Sequence, residues 1–189
     1  QHEAVDYVVY GDGEKPFSNL VSEYRNLQGK KKWLQVLKGT PIDGCRTLVG
    51  DELVLGEPFD AITDMDEVPS PYLNGLFDHI LKDPTLMPII QNIRGCPYLC
   101  RFCVSGTQYG KIRNFSLGRI QEEIKFLQEN ARNRFLRFSD DNFGIVEHDV
   151  RVAEFIRENF EKNKYPAGLK VYSAKKQTDR VREVGRILK

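Results

Sequence analysis

Long apolar runs are missing from this chain. No stretch approaches the roughly 18 to 20 apolar residues that a membrane-spanning helix needs, and the start shows none of the charged-then-apolar pattern of a secretory leader. A membrane partner is therefore not expected. Net charge is only +1 across 189 residues, too little for an electrostatic binder of nucleic acid. The balance is uneven, with 9 Lys/Arg against 15 Asp/Glu in residues 1–100 and 19 against 12 in residues 101–189. Two units of different character, a basic half facing an anionic ligand or partner, and ordinary solvated helix faces all fit that asymmetry. Histidine is confined to His2, His79 and His148, and cysteine to Cys45, Cys96, Cys100 and Cys103. With no second CxxC or HxxxH pair, a closed four-ligand zinc site would need a ligand from afar. With 40% hydrophobic residues, the chain can build one modest domain or parts of two.

The cysteines that are present are crowded. Arg94-Gly95-Cys96-Pro97-Tyr98-Leu99-Cys100-Arg101-Phe102-Cys103 has the spacing CxxxCxxC, which can wrap three thiolates around one inorganic cluster. A cubane [4Fe–4S] cluster fully ligated by protein takes four cysteines, so three leave one iron open, and an open iron is a reaction site. A structural zinc closed from elsewhere, or a disulfide that leaves one thiol unpaired, are the competing readings. Gly95 permits a sharp exit from the preceding apolar run, and Pro97 stiffens the backbone between the first two thiols. Cys45 reads as an ordinary buried small residue.

With Phe102 just before the last cysteine, the motif resembles the signature of the radical S-adenosylmethionine superfamily. That resemblance implies that Cys96, Cys100 and Cys103 hold a [4Fe–4S] cluster whose open iron is chelated by S-adenosylmethionine. One electron from an external donor then breaks the S–C5′ bond and leaves a 5′-deoxyadenosyl radical. By the same resemblance, Phe102 lies near the adenine. The protein's part is binding, orientation and exclusion of side reactions.

Upstream, Val5–Tyr10 reads as a strand, followed by Gly11-Asp12-Gly13-Glu14 and a helix opened by Pro16 with Phe17, Leu20, Val21 and Tyr24 on one face. A strand, Gly-x-Gly turn and helix let a ligand approach the backbone closely. In front of a radical S-adenosylmethionine motif, this arrangement resembles the end of the Rossmann-like cobalamin-binding domain found in one large subgroup. It implies cobalamin contacts from Gly11, Gly13 and Glu14. Asp12 stands where that subgroup often has Glu, and its Asp-x-His-x-x-Gly cobalamin-ligand motif is absent. Cys45–Val49 and Glu52–Leu55 flank Gly50-Asp51, a two-residue hairpin turn of type II′ preference. Residues 56–72 form a polar connector carrying Pro58, Pro69 and Pro71 with five acids, and Tyr72–Leu81 reads as a short helix. The expected division is 1–40 as the remnant of the cobalamin domain, 41–84 as linker with hairpin, and 85–189 as barrel.

From Met87 onward, strands and helices alternate. Pro88–Ile93 leads into the cysteine loop. Ser116 caps a helix to about Ala131 with Leu117, Ile120, Ile124 and Leu127 on one stripe. Arg134–Ser139 is a strand, Asp149 caps a helix with Val152, Phe155 and Ile156 inward, Leu169–Ser173 is a strand, and Thr178 begins the last helix. This order predicts an α/β fold with a parallel sheet. By resemblance it is the first part of a partial (β/α) barrel whose strand ends carry the site. Ser139-Asp140-Asp141-Asn142-Phe143 leaves the second strand, where this family commonly binds the α-amino group of S-adenosylmethionine. Asp140, Asp141 and Asn142 are thus the implied contacts, although the common Gly-Gly-Glu form is missing. A turn that favours Asp and Asn for geometry alone is the alternative, and which aspartate faces inward is open. Ser173 and Lys175 leave the third strand.

The chain starts at Gln1 and ends at Lys189 within a helical pattern, so an interior fragment, inactive by itself, is expected. The expected parent is a cobalamin-dependent radical enzyme that methylates an unactivated carbon of a small-molecule or natural-product-type substrate. Its expected home is a reducing cytoplasm. A cobalamin-free relative of the methylthiotransferase type and a non-enzymatic iron–sulfur or zinc module are the alternatives.

Overall fold

A computed structural model describes residues 5–103, 105 and 111–189, so His2 lies outside the described residues. The chain divides into two units, Gln1–Ile62 and Thr63–Lys189.

In the first unit, strand β1 (Tyr7–Val9) is followed by helices α1 (Glu14–Leu27) and α2 (Trp33–Gly39), then β2 (Cys45–Val49) and β3 (Glu52–Leu55). The β-branched and aromatic run at 5–10 does form a strand, and its partner is antiparallel, with Tyr7 opposite Thr47 and Val9 opposite Cys45. The hairpin joins the same sheet, in the order β1-β2-β3. Val49 pairs with Glu52, leaving Gly50 at φ +61° and Asp51 at negative φ, as a type II′ turn requires. The sequence reading omits α2 and misjudges the inward face of α1. Pro16 is buried, whereas Phe17 and Tyr24 are 58% and 37% exposed. Gly44 fixes this rotation, because its missing side chain leaves room for the Pro16 ring; a Cβ there would lie 2.4 Å from Pro16 Cγ. Leu20 and Leu27 then pack against the buried cluster of Leu37, Ile42 and Cys45. Cys45 is the ordinary buried residue expected, 2% exposed.

In the second unit, the segment expected as a helix at 72–81 is instead a series of turns ending in a 3₁₀ turn, Ile80–Lys82. Gly75 sits at φ +77°, which an α-helix cannot accommodate. Beyond it run β4 (Ile89–Ile90), β5 (Ile93–Arg94), β6 (Arg113–Asn114), α3 (Leu117–Asn130), β7 (Phe135–Phe138), α4 (Glu147–Asn163), β8 (Gly168–Lys170) and α5 (Thr178–Ile187).

Strands β4, β7 and β8 form a parallel sheet in that order. Helices α3 and α4 lie in the connections, as the alternating pattern requires. A bridge from Phe143 to Ser173 carries the β7–β8 pairing into the following loops. Ser116 caps α3, its hydroxyl accepting from the Arg119 amide at 3.1 Å. Of the expected stripe, Ile120, Ile124 and Leu127 are at 0% exposure and Leu117 is half-buried; Leu136 and Phe138 of β7 are at 0% as well. Val152 and Ile156 of α4 are buried as well. Asp149 is not the N-cap of α4. Val146 holds that position, and Asp149, the third residue of the helix, reaches back so that its carboxylate accepts from the Val146 and Gly144 amides at 3.1 and 2.9 Å. Such a back-reaching acid supplies the N3 half of a capping box, serving the amide of the N-cap residue.

Candidate functional site

The cysteine loop leaves β5 and faces the exit of β7. β5 pairs antiparallel with β6, Ile93 opposite Asn114 and Arg94 opposite Arg113, so the loop's two ends are tied together. Gly95 takes φ +111° at the exit. Tyr98 packs on the cluster of Ile93, Ile145 and Ala174, with the Lys176 ammonium 5.3 Å from its ring centroid. The base of the loop is thereby held by residues following β7 and β8.

All three thiols are free, and their surroundings differ. Cys96 is buried, while Cys100 and Cys103 are partly exposed. The Cys103 amide donates to the Cys100 carbonyl at 3.0 Å, closing a turn between the last two. A hydrogen bond from the Ser105 side chain lowers the Cys103 thiol pKa below its ordinary value. Among the described residues, no three His, Cys, Asp or Glu side chains are gathered as a metal-holding group. The donor set nevertheless fits an iron–sulfur cluster in its chemistry. Thiolates are the ligands such clusters take, no disulfide consumes them, and the buried Cys96 already has a hydrogen-bond donor on its sulfur, the Asn142 Nδ2 at 3.2 Å. Phe102 is 92% exposed and Leu99 77%, so the tip of the loop presents apolar surface.

The turn after β7 separates its polar residues sharply. Asp140 is 1% exposed, and its Oδ1 accepts from the Asn92 and Ile93 amides at 2.8 and 3.2 Å. It thus fastens the strand that launches the cysteine loop to the end of β7. Burial raises the Asp140 carboxyl from 3.8 to about 7 against the opposing pull of those amides. Asp141 is exposed. Asn142 is buried, 2% exposed. Asp140 Oδ2 and Asn142 Oδ1 are buried without a hydrogen-bond partner, polar acceptors of the kind that a bound group satisfies. Of the residues after β8, Ser173 and Lys175 are both exposed.

One member of this network, Asn92, escapes the sequence reading, and another, Asp149, is read there only as a helix cap. Asn92 is fully buried and donates from Nδ2 to Asp149 Oδ1 at 2.7 Å, and burial raises the Asp149 carboxyl as well. The available signal is a pair of amide residues, Gln91-Asn92, set between the apolar residues of Ile89-Ile90-Gln91-Asn92-Ile93. A buried polar residue there must be satisfied by some partner.

In the first unit, Gly11 adopts φ +76°, and a Cβ built on it meets nothing within 4 Å. Gly13 precedes α1, its carbonyl accepting from the Phe17 amide at 2.9 Å, and Glu14 lies in the first turn. Asp12 is buried and accepts from the Ile62 amide at 2.8 Å, which pins the end of this unit to the Gly-x-Gly turn.

No family model matches the chain. Among curated relatives, the 2-(S-pantetheinyl)-carbapenam-3-carboxylate methyltransferase of Streptantibioticus cattleyicolor is 31% identical over 193 residues, covering 98% of this chain and 27% of the relative. The cobalamin-dependent radical SAM methyltransferase TokK of Streptomyces tokunonensis is 28% identical over the same coverage. Among solved structures, the cobalamin-dependent S-adenosylmethionine radical enzyme OxsB, with aqua-cobalamin and S-adenosylmethionine bound, superposes with a TM-score of 0.60. That match is 16% identical and covers 96% of this chain and 25% of OxsB. The chain thus spans about a quarter of the length of each of these proteins. Taken with the triple-cysteine loop, the likeness to these two curated relatives places the chain in the radical S-adenosylmethionine superfamily, in its cobalamin-binding subgroup.

Proposed function

We propose that this chain supplies the cluster-holding part of a cobalamin-dependent radical S-adenosylmethionine enzyme that methylates an unactivated carbon of a small molecule. The observation that carries this reading is the juxtaposition of the free-thiol loop after β5 with the polar turn after β7, joined by the Asn142–Cys96 hydrogen bond. Cys96, Cys100 and Cys103 are the ligands of a [4Fe–4S] cluster, which, when bound, supplies the electron that cleaves S-adenosylmethionine and releases a 5′-deoxyadenosyl radical.

The chain's own residues bind and orient. Exposed Asp141 offers its carboxylate to the ammonium of S-adenosylmethionine, a charge-assisted contact. Phe102 supplies an aromatic surface for the adenine. Asp140 and Asn142, turned inward, hold the loop that presents the cluster. In the first unit, Gly11, Gly13 and Glu14 form the turn that meets cobalamin. The 1–40 segment then belongs to a Rossmann-like cobalamin domain, 41–84 to the linker, and 85–189 to the opening strands of a partial (β/α) barrel. An external one-electron donor and a reducing cytoplasm complete the setting, and turnover belongs to the whole protein.

The test is chemical. The whole protein, loaded anaerobically with iron, sulfide and cobalamin and given a low-potential reductant, is expected to form 5′-deoxyadenosine from S-adenosylmethionine. Replacing any one of Cys96, Cys100 or Cys103 by alanine abolishes that product. Undiminished product from a Cys100→Ala protein contradicts the assignment.

A further inference from the structure

Asn142 is an unexpected neighbour for a cysteine thiol. Its side chain is 2% exposed, and its Nδ2 donates to the Cys96 sulfur at 3.2 Å. Cys96 is itself 7% exposed. Neither group has water with which to replace the other. The partners are 46 residues apart in sequence, and the geometry that joins them is built. Asp140, two residues before Asn142, is clamped on the Asn92 and Ile93 amides. Phe143, the residue after it, donates to the Tyr172 carbonyl at 2.7 Å and accepts from the Ala174 amide at 2.9 Å. The Asn142 backbone is therefore fixed on both sides, and its amide group is aimed at one sulfur of the three.

We infer that Asn142 is a positioning residue that sets the reduction potential of the cluster through its hydrogen bond to Cys96. This inference rests on the cluster assignment made above. Reduction adds negative charge to the cluster and its thiolate ligands. A donor on a ligand sulfur stabilises the more negative, reduced form, and such hydrogen bonds are among the known determinants of potential. Burial strengthens the effect by excluding competing water. The Asn142 Nδ2 is thus committed to a ligand sulfur, while its Oδ1 stays without a protein partner.

The experiment compares wild-type protein with Asn142→Leu and Asn142→Ala. Leucine keeps the branched outline and the number of heavy atoms without a donor; alanine loses both donor and volume. After anaerobic reconstitution, iron and sulfide per chain are counted and the cluster is titrated with a reductant of graded potential, read by electron paramagnetic resonance. Both variants are expected to hold a cluster that is harder to reduce, with the one-electron reduction equilibrium shifted by about three- to tenfold, the effect expected of one lost hydrogen bond. A potential equal to wild type in both, or a change in Asn142→Ala alone, which marks loss of packing, overturns the inference. So does failure of both variants to hold iron where the wild type does, since the side chain is then structural. A wild-type chain that takes up no iron refutes the cluster assignment itself, an outcome visible before either variant is made.

Discussion

The carboxylate of Asp140 accepts from two consecutive backbone amides, those of Asn92 and Ile93, at 2.8 and 3.2 Å. Asn92 lies between β4 and β5 and Ile93 opens β5, on the approach to the cysteine loop, so one side chain ties the loop's root to the end of the parallel strand β7. The group is buried and its pKa is raised from 3.8 to about 7.

That shift has a definite sign. The folded protein holds the Asp140 proton more tightly than the unfolded chain, where aspartate titrates near 4. Its contribution to stability is therefore fully present below about pH 4 and is lost as pH rises through about 7. Asp149, which also has a raised pKa, acts in the same direction. Asp140→Asn keeps an acceptor for the two amides and removes the titration. Urea unfolding between pH 4.5 and 7.5 is expected to show a flatter decline for this variant than for wild type, by an amount on the order of a few kcal/mol across the range. An unchanged slope contradicts the assignment.

Tyr72 serves the outer edge of the same sheet. Its hydroxyl donates to the Ile89 carbonyl at 2.7 Å and accepts from the Ile89 amide at 3.0 Å, in place of the strand partner that β4 lacks on that side among the described residues. Tyr72→Phe leaves both backbone groups without this partner. The expected loss is about 1–3 kcal/mol of unfolding free energy, measured by urea denaturation at fixed pH. A loss below about 0.5 kcal/mol would indicate that water replaces the hydroxyl at no cost.

The start of α3 rests on Ser116. Removing the hydroxyl that accepts from the Arg119 amide by Ser116→Ala is expected to cost about 1 kcal/mol. Ser116→Asp should retain the cap and add a favourable charge at the helix N-terminus, so thermal denaturation should rank wild type and Asp together, above Ala. Equal midpoints for all three would show that the cap contributes nothing.

Much of this architecture is readable from residue order alone. The Ser116 cap, the Ile120, Ile124 and Leu127 stripe, the Gly50-Asp51 hairpin and the alternation that yields a parallel sheet all depend on local chemistry and spacing. What escapes is decided by distant partners. The rotation of α1 depends on Pro16 meeting Gly44, and the broken helix at 72–81 on a single glycine conformation. The two aspartates after β7 are neighbours in sequence, yet only the fold sends Asp140 inward to main-chain amides and leaves Asp141 in solvent. The Asn92–Asp149 bond spans 57 residues, beyond the reach of any periodicity.

The central claim is that three cysteines, and no fourth, hold a [4Fe–4S] cluster with one iron open to S-adenosylmethionine. Electron paramagnetic resonance of the anaerobically reconstituted, reduced protein tests it directly, with Cys45→Ala as the control. The account predicts a reduced-cluster signal in wild type and Cys45→Ala that changes when S-adenosylmethionine is added, and no such signal when Cys96, Cys100 or Cys103 is replaced by alanine. A signal indifferent to S-adenosylmethionine, or one that survives replacement of those cysteines, would contradict it.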